Sequence, residues 1–126
     1  MTAIKDIMNK EVVTIKQSAT MQEVSRMLIK NRLSGIPVVD EKKSLVGFVS
    51  ERDIIKALST GVSLDTKAKD VMVKNVVSVK ESDSIEQVSQ VFTVHPFRYI
   101  PVTKRRKIMG IISRKDVIEK LLGQYY

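Results

Sequence analysis

The chain has no cysteine and no tryptophan, one histidine, three prolines and five glycines among its 126 residues. Without cysteine, neither a disulfide framework nor a thiolate metal site can form. A single histidine cannot supply a histidine-rich metal site. Three phenylalanines and three tyrosines are the only aromatic residues, so the core must come from Val, Ile, Leu and Met. Long apolar runs are missing too. The longest are about four residues, against the roughly 20 that a membrane-spanning helix needs. The start, Met1-Thr2-Ala3-Ile4-Lys5-Asp6, lacks the apolar stretch of a signal peptide. These absences predict a soluble, cytoplasmic protein with no metal site and no membrane partner.

What is present is enough for a globular core, with 43% apolar residues. The length suits one compact domain or two half-sized units that share a core. The charge is one-sided: 22 basic residues against 14 acidic ones leave a net +8. That balance fits either a solvated basic surface or a polyanionic partner, nucleotide phosphates or a nucleic acid. The one dense basic run is Lys104-Arg105-Arg106-Lys107, which reads as an exposed turn or a contact for nucleic acid or a partner.

The sequence repeats itself. Asp6-Ile7-Met8 aligns with Asp70-Val71-Met72, Val12–Lys16 with Val76–Lys80, and Ile36-Pro37-Val38 with Ile100-Pro101-Val102. After a one-residue deletion in a turn, Gly47-Phe-Val-Ser50-Glu-Arg-Asp53 meets Gly110-Ile-Ile-Ser113-Arg-Lys-Asp116. In all, 18 of 52 aligned positions are identical (4–41 with 68–105, 45–58 with 108–121), which marks a duplication.

Each copy reads as β-α-β-β-α. A β-branched segment, Val12–Ile15 or Val76–Val79, predicts the first strand. Met21, Val24, Met27 and Leu28, or Ile85, Val88, Val91 and Phe92, recur at helical spacing. Thr20 with Glu23, and Ser84 with Gln87, form capping-box starts. In copy two, His95-Pro96 ends the helix. A second strand, Ile36–Val39 or Ile100–Thr103, precedes a charged turn and a third strand, Leu45–Val49 or Ile108–Ile112. The last helix begins at Ser50 or Ser113, with Ile54, Ile55 and Leu58, or Val117, Ile118, Leu121 and Leu122, as its apolar side. Residues 60–67 are the predicted linker and 123–126 a tail whose two tyrosines can pack on the body or on a partner. One copy of about 55 residues buries too little to be robust alone.

The order Asp-Ile-Met, Val-Val-Thr-Ile, amphipathic helix, Gly-Ile-Pro-Val-Val-Asp, Gly-Phe-Val-Ser-x-x-Asp, occurring twice, strongly resembles the CBS motif. Such motifs occur in tandem pairs, the Bateman modules. The resemblance covers residues 4–59 and 68–122. It implies an α+β (α/β) fold: CBS motif 1 over 1–59, CBS motif 2 over 68–122, packed sheet to sheet with pseudo-twofold symmetry. It further implies a non-enzymatic regulatory module that senses adenosine nucleotides (AMP, ADP or ATP, or S-adenosylmethionine) in the cleft between the motifs, for energy sensing. No cofactor is required. No effector domain accompanies the pair in this chain, so the output is expected through an unknown partner protein or the oligomer state, with a homodimer expected.

By the same resemblance, Gly47, Ser50 and Asp53 form one ribose and phosphate set, and Gly110, Ser113 and Asp116 the other. Glycine permits close backbone approach, serine sits at a helix N-terminus that favours a phosphate, and aspartate can accept the ribose hydroxyls. Ser-x-x-Asp at a helix start also reads as a capping arrangement, and the two roles can coexist. The adenine pocket falls on Val13, Thr14, Ile36 and Pro37, and on Val77, Ser78, Ile100 and Pro101, all of which read equally as core or strand. Met8 and Met72 read as core packing, with lining of the adenine slot as the alternative. Arg52, Arg98, Arg114 and Lys115 are the phosphate-binding candidates. Ser34 stands where copy two has Arg98, so unequal sites are expected. If the copies face each other, Arg98 and Lys115 serve the Ser50/Asp53 site and Arg52 the Ser113/Asp116 site.

The alternative is a basic nucleic-acid-binding protein on the same scaffold, although no helix-turn-helix or aromatic stacking pattern supports it. An enzyme is disfavoured, because no nucleophile–base set, metal-ligand set or phosphate-loop lysine motif is found.

Overall fold

The structure, a computed structural model, describes residues 2–123. The expected tail, apart from Gly123, lies outside them. In chain order the first copy forms β1 (Ile15–Lys16), α1 (Met21–Asn31), β2 (Gly35–Val39), β3 (Leu45–Ser50) and α2 (Glu51–Ser59). The second forms β4 (Val79–Lys80), α3 (Ile85–Val94), β5 (Tyr99–Lys104), β6 (Lys107–Ser113) and α4 (Arg114–Gly123). Both copies therefore have the expected order, β-α-β-β-α. Among the described residues no helix is long and apolar enough to cross a membrane.

Each copy makes a three-stranded mixed sheet, in the orders β1-β2-β3 and β4-β5-β6. The first pair in each is parallel, with Ile15 opposite Val38 and Val79 opposite Val102. The second pair is antiparallel. The first strands are shorter than the sequence predicts and start three residues later, at Ile15 and Val79. Proline explains this. Pro37 stands opposite Phe48, and Phe48 directs both its backbone groups away from β2, exchanging hydrogen bonds with Val73 (3.0 and 2.9 Å). The N–H that Pro37 lacks therefore belongs to the β1 side, where the ladder cannot continue upstream of Val38. Pro101 opposite Ile111, which bonds Asn9 twice at 2.9 Å, repeats the arrangement in copy two.

Thr20 and Ser84 accept the N–H of Glu23 and Gln87, whose side chains accept the N–H groups of Thr20 and Ser84, so both expected capping boxes form. Helix α3 ends at His95, which is extended ahead of Pro96 and stacks its ring on Phe97 at 5.1 Å. Met21, Val24 and Leu28 are buried on α1, and Ile85 and Val88 on α3. On α2 and α4 the apolar side is narrower than expected. Ile54 and Ala57, and Val117, are buried, while Ile55, Leu58, Ile118 and Leu122 are exposed. Neighbouring residues differ by about 100° around a helix, so 54 and 55 cannot both face the core.

The compact units do not follow the copies at their leading ends. Val13–Val76 form one unit and, among the described residues, 2–12 together with 77–123 form the other. The segment leading into copy one completes copy two. Ile4 N–H donates to Asp83 O (2.9 Å), Lys5 N–H to Glu81 O (3.1 Å), and Ile85 N–H to Thr2 O (3.1 Å). The segment leading into copy two makes the corresponding bonds to copy one: Ala68 N–H to Ala19 O (2.7 Å), Lys69 N–H to Gln17 O (3.1 Å), and Met21 N–H to Thr66 O (2.8 Å). Ile4 and Ala68 have no exposed surface and belong to these two cores.

Ile4→Ala is expected to cost about 2–4 kcal/mol, as for other buried Ile or Leu truncations. Native-state hydrogen exchange should show the loss of protection concentrated in β5, β6 and α3, although Ile4 belongs in sequence to copy one. Loss concentrated in β2, β3 and α1 would contradict the exchange of leading segments.

Candidate functional site

In each copy the last strand runs straight into the last helix, so one serine ends the strand and caps the helix. Gly35 is opposite Ser50 across β2 and β3, and Tyr99 is opposite Ser113 across β5 and β6. Ser50 Oγ accepts the Asp53 N–H at 3.2 Å, and Asp53 Oδ2 accepts the Ser50 N–H at 2.9 Å and its hydroxyl at 2.8 Å. Ser113 and Asp116 repeat the reciprocal pair at 3.1 and 2.9 Å. The capping reading of Ser-x-x-Asp therefore holds, with Asp in the place that Glu or Gln usually takes.

The cap leaves groups over. Among the described residues Oδ1 of Asp53 and of Asp116 accepts no hydrogen bond. The first helical N–H groups, of Glu51 and Arg114, go to the carbonyls of Ser34 (2.9 Å) and Arg98 (3.1 Å). The next ones, of Arg52 and Lys115, have no protein acceptor among the described residues. Each helix start thus offers a carboxylate oxygen, an unpaired N–H and the positive end of the helix dipole, with Ser and Asp half-buried. Such a set can accept two hydroxyls and hold an anion. Among the described residues no cluster of three His, Asp or Glu is placed to hold a metal ion.

Every candidate residue falls with its own set. The unit Val13–Val76 contains Val13, Thr14, Ile36, Pro37, Gly47, Ser50, Arg52 and Asp53. The other contains Val77, Ser78, Arg98, Ile100, Pro101, Gly110, Ser113, Arg114, Lys115 and Asp116. The side chains of Ile36 and Ile100 have no exposed surface and lie in the cores opposite Val49 and Ile112. Only their backbone can meet a ligand. Thr14 is half-buried and Ser78 exposed, and their backbone groups, which face away from β2 and β5, are unpaired among the described residues. Arg52, Arg98, Arg114 and Lys115 are all exposed. The Arg98 carbonyl bond ties that residue to the start of α4, where Arg114 and Lys115 also sit, whereas Arg52 shares the start of α2 with Glu51.

The two glycines have a packing role that the sequence did not reveal. A Cβ on Gly47 would coincide with the Met72 side chain. On Gly110 it would lie 2.6 Å from Met8 Sδ and 2.9 Å from the Asn9 carbonyl oxygen. The methionines come from the leading segments and pack on the cores, as expected of them. Phe48, whose ring lies against Gly35, and Tyr99, opposite Ser113, also flank the sites and were not singled out. The alignment of Gly35 with Tyr99 was the available signal.

Comparison with known proteins identifies both copies of the repeat. A family model described as "CBS domain" matches twice, over residues 4–60 and 68–123. The CBS domain-containing protein YhcV of Bacillus subtilis is 30% identical over 118 residues, 93% of this chain and 84% of its own length. The uncharacterized protein MJ1225 of Methanocaldococcus jannaschii is 28% identical over 120 residues, 95% of this chain, which spans only 42% of that protein. Relatives with enzyme names are matched over 22–25% of their length. Among solved structures, the CBS domain pair of protein MJ0100, in complex with 5-methylthioadenosine and S-adenosyl-L-methionine, superposes with a TM-score of 0.83. It is 28% identical, with 100% of this chain and 99% of that one covered.

Gly47→Ala and Gly110→Ala should each destabilise by about 1–3 kcal/mol through overpacking. In double-mutant cycles Met72→Ala should restore most of the loss at Gly47, while Met8→Ala restores less at Gly110, where a carbonyl also stands in the way. Additive losses in both pairs would contradict the packing role.

Proposed function

The chain belongs to the CBS-domain family, and from that premise we propose that it is a regulatory module binding an adenosine compound at the starts of α2 and α4. The observation that supports this most is the division of labour at Asp53 and Asp116. One carboxylate oxygen caps the helix while the other stays open beside an unpaired N–H. A ribose offers two adjacent hydroxyls to such an oxygen, and a phosphate or other anion suits the helix start. The two ligands bound to the related MJ0100 pair share the adenosine moiety.

The purine belongs beside the unpaired backbone of Val13–Thr14 or Val77–Ser78, with Ile36-Pro37 or Ile100-Pro101 contributing backbone and apolar surface. AMP, ADP and ATP are the proposed ligands, with S-adenosylmethionine as the further member. Arg52, Arg98, Arg114 and Lys115 are the proposed phosphate-binding residues, and their uneven distribution between the copies makes the two sites unequal. The role is regulatory rather than catalytic, and the proposed setting is the cytoplasm. Binding acts by favouring one conformation of the pair. A partner protein or a second copy of the chain then reads that change. Ile55 and Leu58 on α2, and Ile118 and Leu122 on α4, are the exposed apolar surface that such a contact would use.

A thermal-shift panel of AMP, ADP, ATP, S-adenosylmethionine, NAD and a short oligonucleotide tests this, since a ligand of the folded state must raise Tm. At least one adenosine compound should do so. No shift with any of them would overturn the proposal. Asp53→Glu and Asp116→Glu separate capping from binding, because Glu is the usual residue of a capping box. Each should leave stability within about 0.5 kcal/mol and weaken binding at its site about tenfold or more. Unchanged affinity in both would leave the aspartates with the cap alone.

A further inference from the structure

Strands β5 and β6 are joined by a two-residue loop. Lys104 lies opposite Lys107, so Arg105 and Arg106 are the central pair of the turn. Both have positive φ, 52° and 71°. Two-residue hairpins adopt this left-handed geometry because its twist matches that of the strands, and Asn-Gly or Asp-Gly reach it most readily. An arginine there brings a Cβ against the neighbouring backbone. Local conformation therefore disfavours both residues.

The equivalent turn of copy one is built differently. Asp40 Oδ1 accepts the N–H groups of Lys42 and Ser44 at 2.9 Å each, only Lys43 has positive φ, and two acidic residues offset two lysines. At the copy-two tip all four residues are basic and exposed. Lys104 Nζ reaches Glu81 Oε1 at 3.4 Å, but Arg105, Arg106 and Lys107 make no ion pair among the described residues. Lys80 on β4, in register with Thr103, adds another exposed cation on the neighbouring strand. Backbone strain and mutual repulsion thus coincide at one solvent-facing point. Nothing in the fold requires either.

The geometry points to a binding site at this hairpin tip for the phosphate backbone of a nucleic acid. A guanidinium presents a planar fork of donors that matches a phosphate. Adjacent cations that repel one another in the free protein are brought into balance by phosphates at regular spacing. A two-stranded β-ribbon is also of a width that a major groove admits. A membrane surface is less favoured, because residues 104–107 include no apolar side chain to enter it. The tip shares no residue with the Ser113/Asp116 arrangement, so the inference stands apart from adenosine binding.

Arg105→Asn/Arg106→Gly tests it, because the double substitution installs the preferred turn while removing two charges. It should raise Tm by about 2–5 °C. Binding of a mixed-sequence duplex of about 20 base pairs, followed by fluorescence anisotropy, should weaken about tenfold, and the salt slope should fall by up to about 1.8. Lys42→Gln/Lys43→Gln removes the same charge from the copy-one turn and should change duplex affinity less than about twofold. The Tm shift with AMP, if present in the parent chain, should persist in both. Equal loss in the two double variants would assign binding to bulk charge and overturn the site. So would a fall in Tm for the first variant, or binding to phosphatidylserine vesicles without binding to the duplex.

Discussion

At Gly47 and at Gly110 a methionine from the segment leading into the opposite copy fills the space a side chain would need. Around that contact the leading segment runs alongside the sheet. Val73 pairs with Phe48 on β3, and Asn9 with Ile111 on β6. The same segments then satisfy N–H groups at the starts of α1 and α3 through the carbonyls of Thr66 and Thr2. A copy cut out at its sequence boundaries would lose a buried residue, a flanking ladder and part of a helix cap together. Each half is therefore finished by chain that belongs in sequence to the other.

That placement of β3 and β6 sets the chemistry at their ends. Because each strand passes into a helix without a loop, Ser50 and Ser113 have no freedom apart from the fold, and the aspartate one turn on is fixed by the cap. The cap uses one oxygen of each carboxylate and leaves the other open, so the proposed ligand role does not compete with it. The prolines contribute by a complementary route. By stopping the β1 and β4 ladders they leave the Val13 and Val77 carbonyls without a donor, next to Thr14 and Ser78, whose backbone faces away from β2 and β5. What distinguishes the two helix starts is charge: Arg114 and Lys115 open α4, whose first N–H is bonded to the Arg98 carbonyl, whereas Arg52 stands beside Glu51 at the start of α2.

Much of this was legible in the sequence. The repeat, the element order, both capping boxes and the end of α3 at His95-Pro96 all follow from local patterns, and the structure has them. The short first strands were not legible, because β-branched residues such as Val12 and Val13 favour extended chain whether or not a partner strand accepts them. The exchange was not legible either. Ile4 and Ala68 are marked by their surroundings as apolar, but nothing local says which half covers them. Residues 60–67 read as a linker by composition, yet Leu64 and Thr66 lend their carbonyls to α1. The close approach at Gly47 was anticipated as a ligand's, and a methionine makes it. The Ser/Asp roles were left between cap and ligand, and the cap is now observed. The exposure of Ile55 and Ile118 follows from a choice between two helix faces that periodicity alone left open.

The most direct measurement is an amide-resolved NMR titration of the uniformly labelled chain with AMP and, separately, with S-adenosylmethionine. The account requires that at least one of them shift the amides of Ser50–Asp53 or Ser113–Asp116 most, together with Thr14 or Ser78 in the same unit. Saturating shifts confined to other surfaces, or none with either compound, would contradict it.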